Sequence, residues 1–183
     1  MKQITNNSQQ AFSLIETMVV VSIIAITTSL AVPAFEKSIS RTQIESKTNI
    51  VYDVFQLARS TAITHGQYIS ICPSPNGQIC SREWQQGLMA FIDIDRDRQL
   101  SGNEKIITFQ PTTSATTLHG NQRYFTYNPL GSIKGRLGSL VVCPTKNSGK
   151  NLSTRLFVSQ MGRVRIETKS DSTRDSCKSS FKY

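Results

Sequence analysis

Histidine and tryptophan are nearly missing from this chain of 183 residues, with two of the first and one of the second. His65 and His119 lie far from each other and from any cysteine. No nucleophile–base pair or histidine-bearing metal set can be assembled from them. An enzymatic role is therefore excluded, no catalytic residue is expected and no cofactor is expected. Cysteine is sparse too: Cys72, Cys80, Cys143 and Cys177, with no Cys-x-x-Cys spacing, which argues against zinc. Acids are short relative to bases, 12 Asp+Glu against 21 Lys+Arg. There is no internal repeat. Charge is absent altogether from Thr17 to Phe35, and Glu16 is the only acid before Glu36.

That uncharged run governs the first third of the chain. A spanning helix needs about 20 apolar residues, and residues 12–35 are long enough if Glu16 is tolerated. A carboxylate at the head of such a segment is costly in lipid and calls for a partner. A secretory signal with late cleavage between Ala25 and Ala34 and a plain anchor both account for the hydropathy, but neither accounts for Glu16.

The even number of cysteines fits an oxidising compartment. Four cysteines allow three connectivities. Cys72 and Cys80 flank a turn-rich loop, Pro73 to Ile79, which a disulfide would close; Cys143 and Cys177 would then tie a strand end to the C-terminal tail.

The positive charge is lopsided. Residues 123–183 carry 12 Lys+Arg and three Asp+Glu, while residues 1–122 carry nine of each. An excess confined to one third of a chain points to a polyanionic partner, nucleic acid or an anionic surface; the bland alternative is a solvated basic face.

Periodicity divides the chain. Val51, Val54, Phe55, Ala58 and Ala62 recur on one helical face, and Gly66 suits a helix stop. A helix from about Phe12 to Thr64, with Pro33 as a local kink, would be on the order of 80 Å long. Short β-type runs follow: Tyr68–Cys72, Leu88–Ile92, Lys105–Phe109, Tyr124–Tyr127, Leu140–Cys143, Leu156–Ser159 and Val164–Thr168, separated by glycine-bearing turns. Thr112–Thr117 reads as a polar loop, His119 as a loop residue, Trp84 as core and Ser170–Tyr183 as a basic tail. One antiparallel sheet, or two small ones packed on a single helix, is the natural α+β architecture. Asp93, Asp95, Asp97 and Glu104 fall at positions 1, 3, 5 and 12 of an EF-hand-like loop, but its sixth position is Arg98 rather than glycine. The reading adopted is a hairpin loop whose acids cap turns and pair with Arg96 and Arg98, with no metal.

The order Ala11-Phe12-Ser13-Leu14-Ile15-Glu16 resembles the processing motif of type IV prepilins and type II secretion pseudopilins, with Ala11 where that family usually has glycine. The resemblance implies a leader over 1–11, cut by a prepilin peptidase between Ala11 and Phe12, and methylation of the new N-terminus. It implies a retained transmembrane and filament-core helix over 12–35, an amphipathic half over 36–66 and a β-rich head over 67–183. Glu16 would dock the subunit by meeting the N-terminal amine of a neighbour. Farther on, Trp84 to Asp93 with Asp95 and Asp97, Asn128-Pro129-Leu130-Gly131, and Ser159 to Arg165 resemble the GspH/FimT/FimU branch of minor pilins. That resemblance implies a type IV pilin-like fold, inner-membrane insertion with a periplasmic head, then a pilus near whose tip the subunit sits beside major and minor pilins. Gly162-Arg163-Val164-Arg165 matches the Gly-Arg-x-Arg motif implicated in DNA binding for natural transformation in FimT-type members. Lys134 and Arg136, with Lys150, Arg155 and Lys169, are candidates to extend the patch. The alternatives are a structural priming subunit of the FimU kind and a type II secretion pseudopilin.

Overall fold

The computed structural model describes residues 14–145, 153–168 and Cys177, apart from the side chains of Leu30, Pro33 and Ala34. Ala11, Phe12, Lys150 and Lys169 lie outside the described residues. The chain divides into two compact units between Ser38 and Ile39. Helix α1, Leu14–His65, contributes to both.

In the first unit the helix exposes Leu14, Ile15, Met18, Val19, Val21 and Ile26, among others. Its hydroxyls are satisfied within the helix: Thr17 donates to the Leu14 carbonyl, Ser22 to Met18 and Thr28 to Ile24. This back-bonding lets small polar side chains sit on an apolar helix without seeking water. Among the described residues no helix is long and apolar enough to cross a membrane; the span expected over 12–35 also counts residues 12, 13, 30, 33 and 34.

In the second unit the helical stripe meets its sheets. Ile44, Val51, Val54, Phe55, Ala58 and Ala62 are buried, as their spacing requires. The helix stops at Gly66, whose φ of 62° is a left-handed conformation that glycine takes without a Cβ penalty. Among the described residues eight strands follow: β1 Ile69–Pro73, β2 Gly87–Ile92, β3 Ile106–Pro111, β4 Thr116–Gly120, β5 Phe125–Tyr127, β6 Gly138–Pro144, β7 Thr154–Val158 and β8 Val164–Thr168. They form two four-stranded sheets in the orders β3-β2-β1-β5 and β4-β6-β7-β8, with every pair antiparallel. Ile69, Ile71, Leu88 and Ala90 of the first sheet and Leu118, Leu140, Val142, Leu156 and Val158 of the second enclose one core with the helix. Phe55 stands edge-on to Phe125 at 5.2 Å and to Tyr127 at 6.4 Å, an aromatic arrangement worth roughly 0.5–1.5 kcal/mol per pair beyond burial. Trp84 is core as expected, and its indole N–H donates to the Gln122 carbonyl at 2.7 Å.

Strand β1 is buried along its whole length, because its opposite face carries a second cluster of Cys72, Met89 and Phe91, with Phe109 and Tyr124 against it. The Cys72–Cys80 disulfide closes the 72–80 loop there, and Cys143 is bonded to Cys177.

The expected polar loop holds from Thr112 to Ala115, but Thr116, Thr117 and the expected loop residue His119 belong to strand β4, paired with β6 from Thr116↔Pro144 to Gly120↔Leu140. Its burial alternates, Thr116, Leu118 and Gly120 inward. The period-2 signal was carried by threonines, which are β-branched and suit a pleated surface while reading as polar.

Candidate functional site

Strands β7 and β8 are joined by a tight turn that carries the Gly-Arg-Val-Arg run. The Ser159 amide donates to the Arg163 carbonyl and the Gly162 amide to the Ser159 carbonyl, each at 2.9 Å. The Ser159 hydroxyl accepts from the Arg163 amide at 3.1 Å. Gly162 has φ 74°, and a Cβ there would collide with the Gly131 carbonyl oxygen. Two bonds hold the turn to its surroundings: the Tyr127 hydroxyl donates to the Gly162 carbonyl at 3.1 Å, and the Ile133 amide donates to the Gln160 carbonyl at 2.9 Å. Burial pushes the Tyr127 hydroxyl pKa up, against the opposing positive charge of Arg59, so the donor stays protonated.

Register then fixes the side chains. Val164 pairs with Val158 and Arg165 with Phe157. Val164 packs against the core, so Arg165 falls on the opposite face; Arg163 immediately precedes the strand, and both arginines are exposed. Arg155 lies opposite Glu167 in the same pair of strands, which places an acid on that face.

Lys134 and Arg136 are placed elsewhere. The Lys134 amide donates to the Thr126 carbonyl at 2.8 Å, and both residues line a cleft of about 590 Å³ together with Arg98, Arg123 and Tyr124. The segment around Ile133 touches the Gly162 turn through the bonds given above, so cleft and hairpin adjoin through backbone. Sequence reasoning missed Arg98 and Arg123 as members of this basic set, because nothing in their spacing relates them to Lys134.

The acidic loop differs from expectation in its arginines. Arg98 lies over the Tyr124 ring at 4.4 Å and Arg96 over Tyr68 at 4.3 Å, rather than pairing with acids. The acids do cap turns: the Asp97 amide donates to Asp95, the Gln99 amide to Asp97, and Glu104 receives the amides of Ile94 and Ser101. The turn for which glycine was wanted is made by Arg96 and Arg98 at φ 64° and 67°. Asp93, Asp95 and Asp97 each offer an oxygen within 4.8 Å of the others. Asp93 is buried and accepts from the Ser70 hydroxyl at 2.5 Å.

Glu16 lies exposed in the first described turn of α1. His65, at the other end, points Nδ1 at the Thr61 carbonyl.

Two family descriptions match the sequence: "Type II transport protein GspH" over residues 48–162 and "Prokaryotic N-terminal methylation motif" over residues 6–32. The type IV major fimbrial protein FimA of Dichelobacter nodosus is 29% identical over 94 residues, which are 51% of this chain and 57% of that protein; the match thus spans little more than half of the relative's length. The type IV minor pilin FimU of Pseudomonas aeruginosa superposes with a TM-score of 0.50 at 19% identity, covering 69% of this chain and 90% of FimU. The minor pseudopilin EpsH of the Vibrio cholerae type 2 secretion system superposes with a TM-score of 0.50 at 13% identity, covering 68% of this chain and 96% of EpsH. At such identities the two structures establish the shared fold, a helix packed on antiparallel sheets.

Proposed function

Given that the chain belongs to the GspH family of type IV minor pilins and pseudopilins, whose members are structural subunits and not enzymes, we propose that it is a minor pilin that binds extracellular DNA from the pilus. The N-terminal segment anchors it in the inner membrane with its head in the periplasm. A prepilin peptidase removes residues 1–11, and Glu16 then docks the subunit among other pilins, near the tip. DNA is held without regard to sequence by Arg163 and Arg165, for uptake in natural transformation.

The observation that carries the DNA reading is the hairpin. Two exposed arginines, Arg163 just before β8 and Arg165 within it, flank Val164 beside a turn pinned by Gly162 and Tyr127, in the third of the chain that holds all the excess charge. Guanidinium suits phosphate because its planar fork bonds two oxygens at once. Such contacts position a backbone and carry no sequence information.

The test is binding of full-length protein in neutral detergent to a labelled oligonucleotide across a salt series. Arg163→Gln with Arg165→Gln should remove most binding and lower the log–log salt slope by roughly 0.9 per lost contact on duplex DNA, leaving pilus number unchanged. A variant with wild-type affinity makes the motif structural. A priming subunit or a secretion pseudopilin is the second reading, favoured by the acid opposite Arg155 on the same face; loss of pili in the double variant would select it.

A further inference from the structure

The basic cleft is separate from the hairpin, and its construction goes beyond a scatter of surface cations. It lies where three loops meet: the one after β2, which supplies Arg98; the β4–β5 loop, which supplies Arg123; and the β5–β6 loop, which supplies Lys134 and Arg136. Among the described residues no carboxylate lines it. Among the described residues no carboxylate pairs with Arg98, Lys134 or Arg136. The acids nearest in sequence are engaged by backbone amides: Asp93 accepts from the Arg98 amide at 3.4 Å, Asp95 and Asp97 accept amides of their own loop, and Glu104 spans that loop's base. Arg98 is held against Tyr124 and Lys134 against Tyr68, at 4.4 and 5.2 Å from the ring centroids. These contacts restrain long cationic side chains before any ligand arrives, which lowers the entropic cost of binding. Tyr68 also carries Arg96, at 4.3 Å from the ring centroid.

We infer that this cleft is a second phosphodiester site and that it admits a single strand rather than a duplex. The inference rests on the DNA reading above and names its form. A duplex is a convex cylinder that rests on protruding arginines such as Arg163 and Arg165. A concave site of about 590 Å³ cannot seat that cylinder, but it can follow one sugar–phosphate backbone. A positively charged groove that tracks the backbone is how proteins hold single strands without reading sequence, and in this wall Tyr124 holds the Arg98 guanidinium in place. Backbone continuity from Ile133 to Gln160 lets a strand leaving the cleft reach the hairpin.

The test uses full-length protein in neutral detergent with an oligothymidylate and a duplex of equal length, each titrated over a salt series. Arg98→Gln with Arg136→Gln should weaken single-strand binding by roughly tenfold per lost charge-assisted contact. It should lower the single-strand salt slope by about 1.4, that is about 0.7 for each of two phosphates, and change duplex binding much less. Lys134→Gln with Arg136→Gln repeats the test at two exposed positions and leaves the Arg98–Tyr124 stack in place; thermal melting checks that both variants fold. If both cleft variants keep wild-type affinity while Arg163→Gln with Arg165→Gln loses it, the cleft inference is overturned and the DNA reading stands. If wild-type protein binds neither oligonucleotide at low salt, the DNA reading and the cleft inference fall together. Equal losses for single strand and duplex, or equal binding of dextran sulfate with the same dependence on Arg98 and Arg136, overturn the single-strand assignment.

Discussion

The buried Tyr127 hydroxyl donates to the carbonyl of Gly162 at 3.1 Å, joining the last strand of one sheet to the turn at the edge of the other. The bond fixes where the Arg163-bearing hairpin sits. Tyr127→Phe keeps the ring and its contact with Phe55 but leaves the Gly162 carbonyl without this donor. An unsatisfied buried acceptor costs about 1–3 kcal/mol. The expected result is a lower melting temperature with near-native circular dichroism, and a duplex affinity reduced less than by removing the arginines.

Gly162→Ala should be worse than Tyr127→Phe. The backbone there has φ 74°, and the added methyl meets the Gly131 carbonyl oxygen, which belongs to backbone and not to a flexible side chain. Strain of this kind costs about 1–3 kcal/mol, and displacement of the turn adds to it. Thermal unfolding should show a larger loss than for Tyr127→Phe; equal stabilities would mean that the turn moves freely.

Much of this was legible because hydrophobic spacing is direct. Val51, Val54, Phe55, Ala58 and Ala62 announce a buried helical face, and β8 begins and ends where Val164 and Thr168 do. Strand β4 was hidden because only Leu118 of its three inward residues is apolar, between Thr116 and Gly120. The arginines of the acidic loop were assigned to the neighbouring acids because sequence distance favours local ion pairs. Tyr68 and Tyr124 take them instead, and they immediately precede strands β1 and β5, which only the fold brings near. The cleft was illegible for the same reason: Arg98, Arg123 and Lys134 meet through three separate loops.

The two disulfides should differ in weight. Closing a loop restricts the unfolded chain more as the loop lengthens. Sequence separations of 8 and 34 correspond to about 2.5 and about 3.8 kcal/mol in the chain-entropy account. Replacing Cys143 and Cys177 by serine should therefore lower the melting temperature more than replacing Cys72 and Cys80 by alanine. Peptide mapping without reductant should recover both bridged pairs; crossed pairs or free thiols would contradict the assignment.

Burial lowers the pKa of His119. Its Nδ1 faces the Gln85 amide at 3.4 Å and its Nε2 the Thr117 hydroxyl at 3.2 Å, an arrangement that suits a neutral ring accepting at Nδ1 and donating at Nε2. The folded state thus binds a proton less readily than the unfolded state. Its contribution to stability is present above the ordinary histidine value and is lost as pH falls through the lowered one. Melting temperatures from pH 7.5 down to 5 should fall more steeply for the wild type than for His119→Gln. Parallel curves would show that the ring is not the titrating group.

Glu16 carries the assembly prediction. It lies in the apolar segment, exposed, four residues after the expected new terminus Phe12. A carboxylate moved from water into an apolar filament core is tolerated if an opposite charge meets it, and on the proposed reading the N-terminal amine of a neighbouring subunit would supply that charge. Removing one member of a buried ion pair leaves the other uncompensated, at about 3–5 kcal/mol. Glu16→Ala should accordingly fold its head normally, because residue 16 belongs to the first unit of the chain, and mass spectrometry should still find Phe12 as the mature N-terminus. It should be depleted from sheared filaments on immunoblotting while accumulating in the membrane fraction. Glu16→Gln, which keeps shape and removes charge, should behave alike if the ion pair is the cause. Normal incorporation of Glu16→Gln with exclusion of Glu16→Ala would assign the role to hydrogen bonding and packing, and normal incorporation of both would remove Glu16 from docking. A mature terminus beyond Ala25 would mean that residue 16 never reaches the filament.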